Sequence, residues 1–281
     1  MFREVRSLAH EGIQLPGQAC RLLQRVSGHP RDVRTDFLPG PHVYKVDGEP
    51  TLGSVTGLVH HFVEEFNADV VIAKMMGGHS WPREGYLRPD GAPMTPLEIK
   101  DKWEQNRLEA ANRGTWMHFF FELYLNRVYV PCDSVEIPLF LHFTSTLTGY
   151  IAFRTEWEIF GEEERLAGSI DFVAEGVDRK LMIVDWKRTK VLKSKYSNSF
   201  RRMKPPFAHL PDCAGVHYRL QLNCYRFLIE KYYGRQVGRM VVVGTHPDNG
   251  SSPFLDEVPV LDAEVESLMA WQRSRAISLT S

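Results

Sequence analysis

The chain has 281 residues, 43 % of them hydrophobic and 25 % charged, with a formal net charge of −1; no global field singles out a polyanionic partner. No apolar run approaches the roughly 18 residues of a membrane span, and the N-terminus lacks a secretory signal's apolar core, so an intracellular protein with no membrane partner is expected. Cys20, Cys132, Cys213 and Cys224 are widely separated without a C-x-x-C pair, which argues against a zinc ribbon or an iron–sulfur cluster and for reduced thiols.

Residues 1–34 carry Arg3, Arg6, Arg21, Arg25, Arg31 and Arg34 against Glu4, Glu11 and Asp32; the early acids favour an accessory helix over a transit peptide. Residues 1–41 therefore read as a peripheral, helical extension ahead of a single domain over 42–281. His42 to Val46 alternates and Asp47-Gly48 supplies a hairpin turn. Ser54 to Met76 reads as a helix and Gly77 to Pro93 as a loop. Thr95-Pro96-Leu97-Glu98 combines a Thr N-cap, Pro at the first helical position and a capping-box Glu. The helix that follows carries Trp103 and Leu108, is interrupted at Gly114 and resumes from Thr115 to Arg127. There His118 and Glu122, four apart, share a face.

Arg154 to Phe160 alternates as a strand, and a turn through Gly161–Glu164 leads to the segment 168–187, GSIDFVAEGVDRKLMIVDWK. Its two apolar, Ile- and Val-bearing runs flank Glu175–Arg179, a β-hairpin pattern. Folding about Asp178 sets Asp171 opposite Asp185, and Lys187 shares the face of Asp185 because side chains alternate. Facing carboxylates repel unless a cation lies between them. Two acids and an ammonium on one face point to metal-assisted hydrolysis of a phosphodiester. A solvated strand face is the plain alternative for an Asp-x-Lys triplet taken alone. Folding about Glu163/Glu164 brings Glu156 opposite Asp171 as a third carboxylate; a shift of a residue or two would substitute Glu158.

Between Trp186 and Pro211 there is no Asp or Glu, while Lys187, Arg188, Lys190, Lys193, Lys195, Arg201, Arg202 and Lys204 are basic. Such a stripe suits a phosphate backbone, or a solvated loop. His217 to Tyr233 is an amphipathic helix stopped by Gly234, with Gln221 and Tyr225 on one face. Met240 to Gly244 is a short buried strand and Asp262 to Ala276 a closing helix. The order, helix, three strands, helix, strand, helix, implies an α/β domain with a mixed sheet.

The ordered set Gly114-x-x-x-His118, Gly168-x-x-Asp171, Asp185-x-Lys187 and Gln221-x-x-x-Tyr225 resembles the PD-(D/E)XK nuclease superfamily, in its RecB-like exonuclease branch, over roughly residues 42–247. The resemblance implies a restriction-endonuclease-like core, a mixed β-sheet flanked by helices. It also implies Mg²⁺, replaceable by Mn²⁺, held by Asp171, Asp185, the Trp186 carbonyl and His118. Lys187 would orient the attacking water, Glu156 hold a second metal or an outer water, and Gln221 and Tyr225 position DNA or the catalytic strand. Arg188, Lys190, Lys193, Lys195, Arg201, Arg202 and Lys204 would grip phosphates. The implied activity is a metal-dependent deoxyribonuclease, an exonuclease on DNA ends or single strands in repair, recombination or replication. A catalytically silent DNA-binding module, an endonuclease and an RNA-directed nuclease are the alternatives. The clustered cysteines of iron–sulfur members are absent. No P-loop is present, so a helicase or other replication or recombination partner would be a separate polypeptide.

Overall fold

A computed structural model describes residues 21–38, 40–128, 133–189 and 201–278. They divide into two compact units, one made of the described residues up to Val63 and from Met117, the other of Glu64–Trp116.

In the larger unit, α1 (Leu22–Val26) precedes β1 (Thr35–Leu38), which pairs antiparallel with β2 (Val43–Val46). β2 turns through Asp47 and Gly48, both at positive φ, into β3 (Glu49–Pro50), the hairpin geometry that an Asp-Gly pair favours. The main sheet holds β4 (Gly53–Ser54), β5 (Tyr150–Gly161), β6 (Leu166–Gly176), β7 (Leu181–Lys187), β8 (Val237–Gly244) and β9 (Phe254–Glu257). It is mixed: β5–β6, β6–β7 and β8–β9 are antiparallel, whereas β4–β6 and β7–β8 are parallel. The parallel β7–β8 pair is joined through α6 (Ala214–Tyr232), as a crossover connection requires.

Side chains on the two sheet faces fill separate cores. Leu181 and Ile183 of β7 pack with Leu220 and Leu228 of α6, with Val55 and Leu58 of α2 (Val55–His61) and with Leu268 of α7 (Asp262–Ser278). Met182, Val184 and Trp186 point the other way, against Phe121 of α4 (Pro96–Leu125) and Phe140 and Phe143 of α5 (Ile137–Ser145). Each fully buried aliphatic or aromatic side chain contributes about 1.5–3 kcal/mol. Helices therefore cover both faces, the mixed α/β arrangement expected.

In the smaller unit α3 (Ala68–Met76) is capped by Asn67, whose Oδ1 accepts from Val70 N–H at 3.1 Å. The single helix expected over 54–76 is thus two, because Asn67 offers a cap where the first helix has already closed at Phe62. Thr95 and Glu98 form the expected reciprocal cap: Thr95 N–H donates to Glu98 Oε2 at 2.7 Å and Glu98 N–H to Thr95 Oγ1 at 3.4 Å. The interruption expected at Gly114 does not occur, and α4 runs unbroken for 30 residues. A lone glycine costs only about 1 kcal/mol in a helix interior.

The described residues of the N-terminal extension are anchored to the domain at Leu23 and Asp32. Leu23 is buried and its N–H donates to Asn126 Oδ1 at 3.1 Å. Asp32 accepts from Arg154 Nη1 at 2.7 Å and from Trp157 Nε1 at 3.1 Å, both on β5. Asp32 thus supplies a carboxylate to Arg154, which is buried on the strand.

Candidate metal and phosphodiester site

The ladders run in the expected registers up to the site. β6 and β7 pair Val173 with Ile183 and Phe172 with Val184, where the ladder ends one residue short of Asp171 and Asp185. β5 and β6 pair Thr155 with Phe172 and Trp157 with Ile170, which brackets Glu156 with Asp171. At that step the ladder is distorted: Glu156 has φ 42°, a left-handed conformation unusual for a residue with a side chain. Arg154 and Trp157, three apart, consequently reach the same carboxylate, Asp32. A strained backbone marks this point of the sheet.

His118, on the last turns of α4, closes over the distortion. Its Nδ1 lies 3.6 Å from Asp171 Oδ2 and 3.8 Å from Glu156 Oε1. One ligand atom from each of His118, Glu156 and Asp171 fits within 4.8 Å of the others. Trp186 serves the site through its backbone: its N–H donates to Asp171 Oδ2 at 2.8 Å, and its carbonyl faces His118 Nε2 at 3.1 Å. A carbonyl only accepts, so Nε2 carries a proton and Nδ1 is the nitrogen turned to the acids. Two of the four expected ligands, His118 and the Trp186 carbonyl, are thus bonded to each other. The indole itself is locked in the second core, stacked on Phe172 with edge contacts to Phe121, Phe140 and Phe143.

Asp185 stands outside this trio. It is buried, and Lys187 Nζ lies 2.8 Å from its Oδ1 and 2.7 Å from its Oδ2. Oδ2 nonetheless receives no hydrogen bond of proper geometry, an orphaned buried acceptor. Lys187 also lies 4.9 Å over the Tyr218 ring.

The electrostatics are those of an acid cluster short of positive charge. Burial raises the Asp171 carboxyl above its usual value, with Glu156 adding to it and His118 and Lys187 opposing. Burial pushes Asp185 up to about 6, Lys187 pulling down and Asp171 pushing further up. Burial opposes a proton on His118, yet Asp171 and Glu156 outweigh it and lift the imidazole to about 9. Lys187 is raised likewise: burial opposes its charge, but Asp185 and Asp171 prevail. Two carboxylates, an imidazole nitrogen and an orphaned carboxylate oxygen nearby are a donor set that suits a divalent cation.

Gln221 and Tyr225 brace the strand from α6. Gln221 Nε2 donates to Tyr225 Oη at 3.1 Å, and Tyr225 is buried against Gly168 on β6. Of their two expected roles, Tyr225 fits the positioning of the catalytic strand; its burial keeps it from a DNA chain.

The basic stripe differs from expectation. Arg188 is not displayed to solvent: its Nε donates to Glu136 Oε1 at 2.6 Å, both side chains about nine-tenths covered. The ion pair holds the start of α5 beside the end of β7, because Glu136 meets Arg188 inside the fold. Arg201 is exposed but paired with Asp212 at 3.1 Å, and Arg202 Nη1 donates to the His209 carbonyl at 3.2 Å. Lys204 is half-buried. Lys190, Lys193 and Lys195 lie outside the described residues.

Two cavities adjoin the site. One, of about 590 Å³, opens beside Glu156 and is lined by Asp36, Glu122 and Glu158 among others. Burial lifts Glu122 to about 7, with Glu156 contributing; burial lifts Glu158 to about 7 as well, with Asp36 and Glu156 contributing. The His118/Glu122 spacing hinted at the Glu122 position, but nothing local announced Asp36. The other cavity, of about 300 Å³, opens beside Lys187. Among the described residues no helix is long and apolar enough to cross a membrane. No protein-family model matches the chain, and no curated protein matches it.

Proposed function

We propose that this protein is a divalent-metal-dependent nuclease that hydrolyses DNA phosphodiester bonds. The observation that carries the reading is the convergence of His118, Glu156 and Asp171 beside the Asp185–Lys187 pair. The sequence resemblance to PD-(D/E)XK nucleases covers His118, Asp171, Asp185 and Lys187, and the strand register adds Glu156. The further reading is an exonuclease acting on DNA ends or single strands, in repair, recombination or replication.

The metal site would use Asp171, Glu156 and His118 Nδ1, with Asp185 and the Trp186 carbonyl at its edge. Mg²⁺, or Mn²⁺ in its place, would lower the pKa of a bound water and offset charge on the scissile phosphate. The protein's own part is positional. The Trp186 N–H fixes the rotamer of Asp171, and Tyr225 fixes the strand that carries it. Asp185 holds the Lys187 ammonium charged at the edge of the acid cluster. From there Lys187 orients an attacking water and stabilises charge that develops on the phosphate oxygens.

The test is a substrate panel: end-labelled linear and covalently closed circular DNA, and linear RNA, with Mg²⁺, Mn²⁺ or chelator. Metal-dependent loss of linear DNA with closed circles intact is the expected result. Cleavage of circles would instead make the protein an endonuclease. No cleavage of any substrate, with DNA binding retained, would make it a silent binding module.

A further inference from the structure

The two cavities flanking the site have opposite character. Carboxylates line the one beside Glu156, whereas the one beside Lys187 has no carboxylate among its lining residues. Its walls carry Lys187, His60, His217, Tyr218, Gln221 and Thr56. One ammonium, two imidazoles, a carboxamide, a hydroxyl and a phenol around about 300 Å³ form a chamber of hydrogen-bond donors suited to an oxyanion.

One of these donors is built in. His217, on the first turn of α6, is mostly buried, and its Nε2 lies 3.0 Å from Asp212 Oδ1. Asp212 is itself buried and held from its other side by Arg201 at 3.1 Å. The carboxylate accepts from Nε2, which fixes the ring; Nδ1 then donates to an anion in the imidazolium form, which burial opposes and Asp212, like a bound phosphate, favours. His60 stands across the chamber mouth from α2, its ring centroid 6.0 Å from that of His217.

We propose that this chamber is a phosphate subsite beyond the scissile position, with His217, oriented by Asp212, as its positioning residue. The inference rests on the nuclease reading for its substrate. A strand whose scissile phosphate lies by Asp171 and Lys187 has its next phosphate within reach of the chamber, because Lys187 borders both. The ligand chemistry is a phosphate group, either an internal diester or a 5′-terminal monoester.

The experiment uses the full chain and single-stranded oligonucleotides, each with one phosphate replaced by a neutral methylphosphonate, at successive positions from the 5′ end. Binding is read by fluorescence anisotropy in Ca²⁺ and cleavage in Mg²⁺, for the unaltered protein and for His217→Gln and Asp212→Asn. At one position, neutralisation should weaken binding by the unaltered protein about tenfold, the scale of one hydrogen bond to a charged group. The same change should weaken His217→Gln less than twofold, since the contact is already gone. A position that follows the 5′-phosphorylated terminus identifies the monoester; one that stays with the cut site identifies the diester. Asp212→Asn should show the same loss of coupling, which a merely structural defect would not confine to one phosphate. Equal sensitivity of all three proteins at every position would overturn the subsite. Coupling in binding without Mg²⁺-dependent cleavage would support the subsite and remove the nuclease reading.

Discussion

Tyr225 packs so closely on Gly168 that a Cβ on the glycine would stand 2.7 Å from the ring carbon Cε1 and 3.1 Å from the hydroxyl. The tyrosine is buried and tied to Gln221, so it has little room to yield. Gly168→Ala is expected to lower stability by about 1–3 kcal/mol, the cost of overpacking. Asp171, three residues on along β6, would move with the strand, so metal affinity should fall as well. Urea denaturation and metal titration of the variant check both effects. Tyr225→Phe, which loses only the Gln221 hydrogen bond, should cost about 1 kcal/mol.

Asp32 ties the N-terminal segment to β5 through a pair with Arg154, in which the side chains are only 9 % and 3 % exposed. Removing one partner of such a buried pair strands the other charge and costs about 3–5 kcal/mol. Asp32→Ala should therefore destabilise far more than Lys100→Ala. That change breaks an exposed pair with Asp69, worth at most about 1 kcal/mol. Paired chemical denaturation curves would show the difference.

Two carboxylates make opposite contributions to acid stability. Glu98, held by Arg88 and by Thr95, is depressed to about 2, below its ordinary value of 4.5. The unfolded chain takes up its proton first as pH falls, so the stability it supplies above pH 4.5 is lost progressively towards pH 2. Glu122, raised to about 7 chiefly by burial, behaves in reverse. The unfolded chain releases that proton first as pH rises, so stability falls between pH 4.5 and 7. Glu122→Gln should flatten the midpoint-versus-pH curve over the upper window, and Glu98→Gln over the lower, both measured in chelator.

Crowded acids predict a response to divalent cations. Mg²⁺ or Mn²⁺ should raise the melting temperature in proportion to binding. Asp171→Asn should abolish that rise while leaving the metal-free melting temperature no lower, because the buried charge it removes is unfavourable. His118→Ala should weaken Mn²⁺ more than Mg²⁺, since imidazole suits transition metals. A melting temperature indifferent to both metals would refute the cation site.

Much of this arrangement is legible in the sequence, because turn residues fix strand register. The Glu175–Arg179 turn sets a register that runs to Phe172 and Val184, the residues next to Asp171 and Asp185, and the Glu162–Glu164 turn brings Glu156 to Asp171. The Thr95–Glu98 cap and the Gly234 stop are local signals that survive folding unchanged. What local pattern does not carry is pairing at a distance. The commitment of Arg188 to Glu136 spans 52 positions and that of Arg154 to Asp32 spans 122. The slip in side-chain alternation at Glu156 is likewise invisible to a period-two reading. His217 reads as an ordinary position on an amphipathic helix; only Asp212 beneath it and Lys187 across the chamber make it notable. The short α5 and β9 carry too little periodicity to announce themselves.

The proposed role of Lys187, beside the acid cluster, is to orient the attacking water and stabilise charge on a DNA phosphate. Lys187→Ala, assayed with a 5′-labelled single strand in Mg²⁺ and, in parallel, for DNA binding in Ca²⁺, tests it most directly. Cleavage should fall at least about a hundredfold, the lower range for loss of one preorganised charge-stabilising donor, and by clearly more than DNA binding, which should weaken about tenfold for one lost contact to a charged group. Undiminished metal-dependent cleavage by the variant would contradict the account.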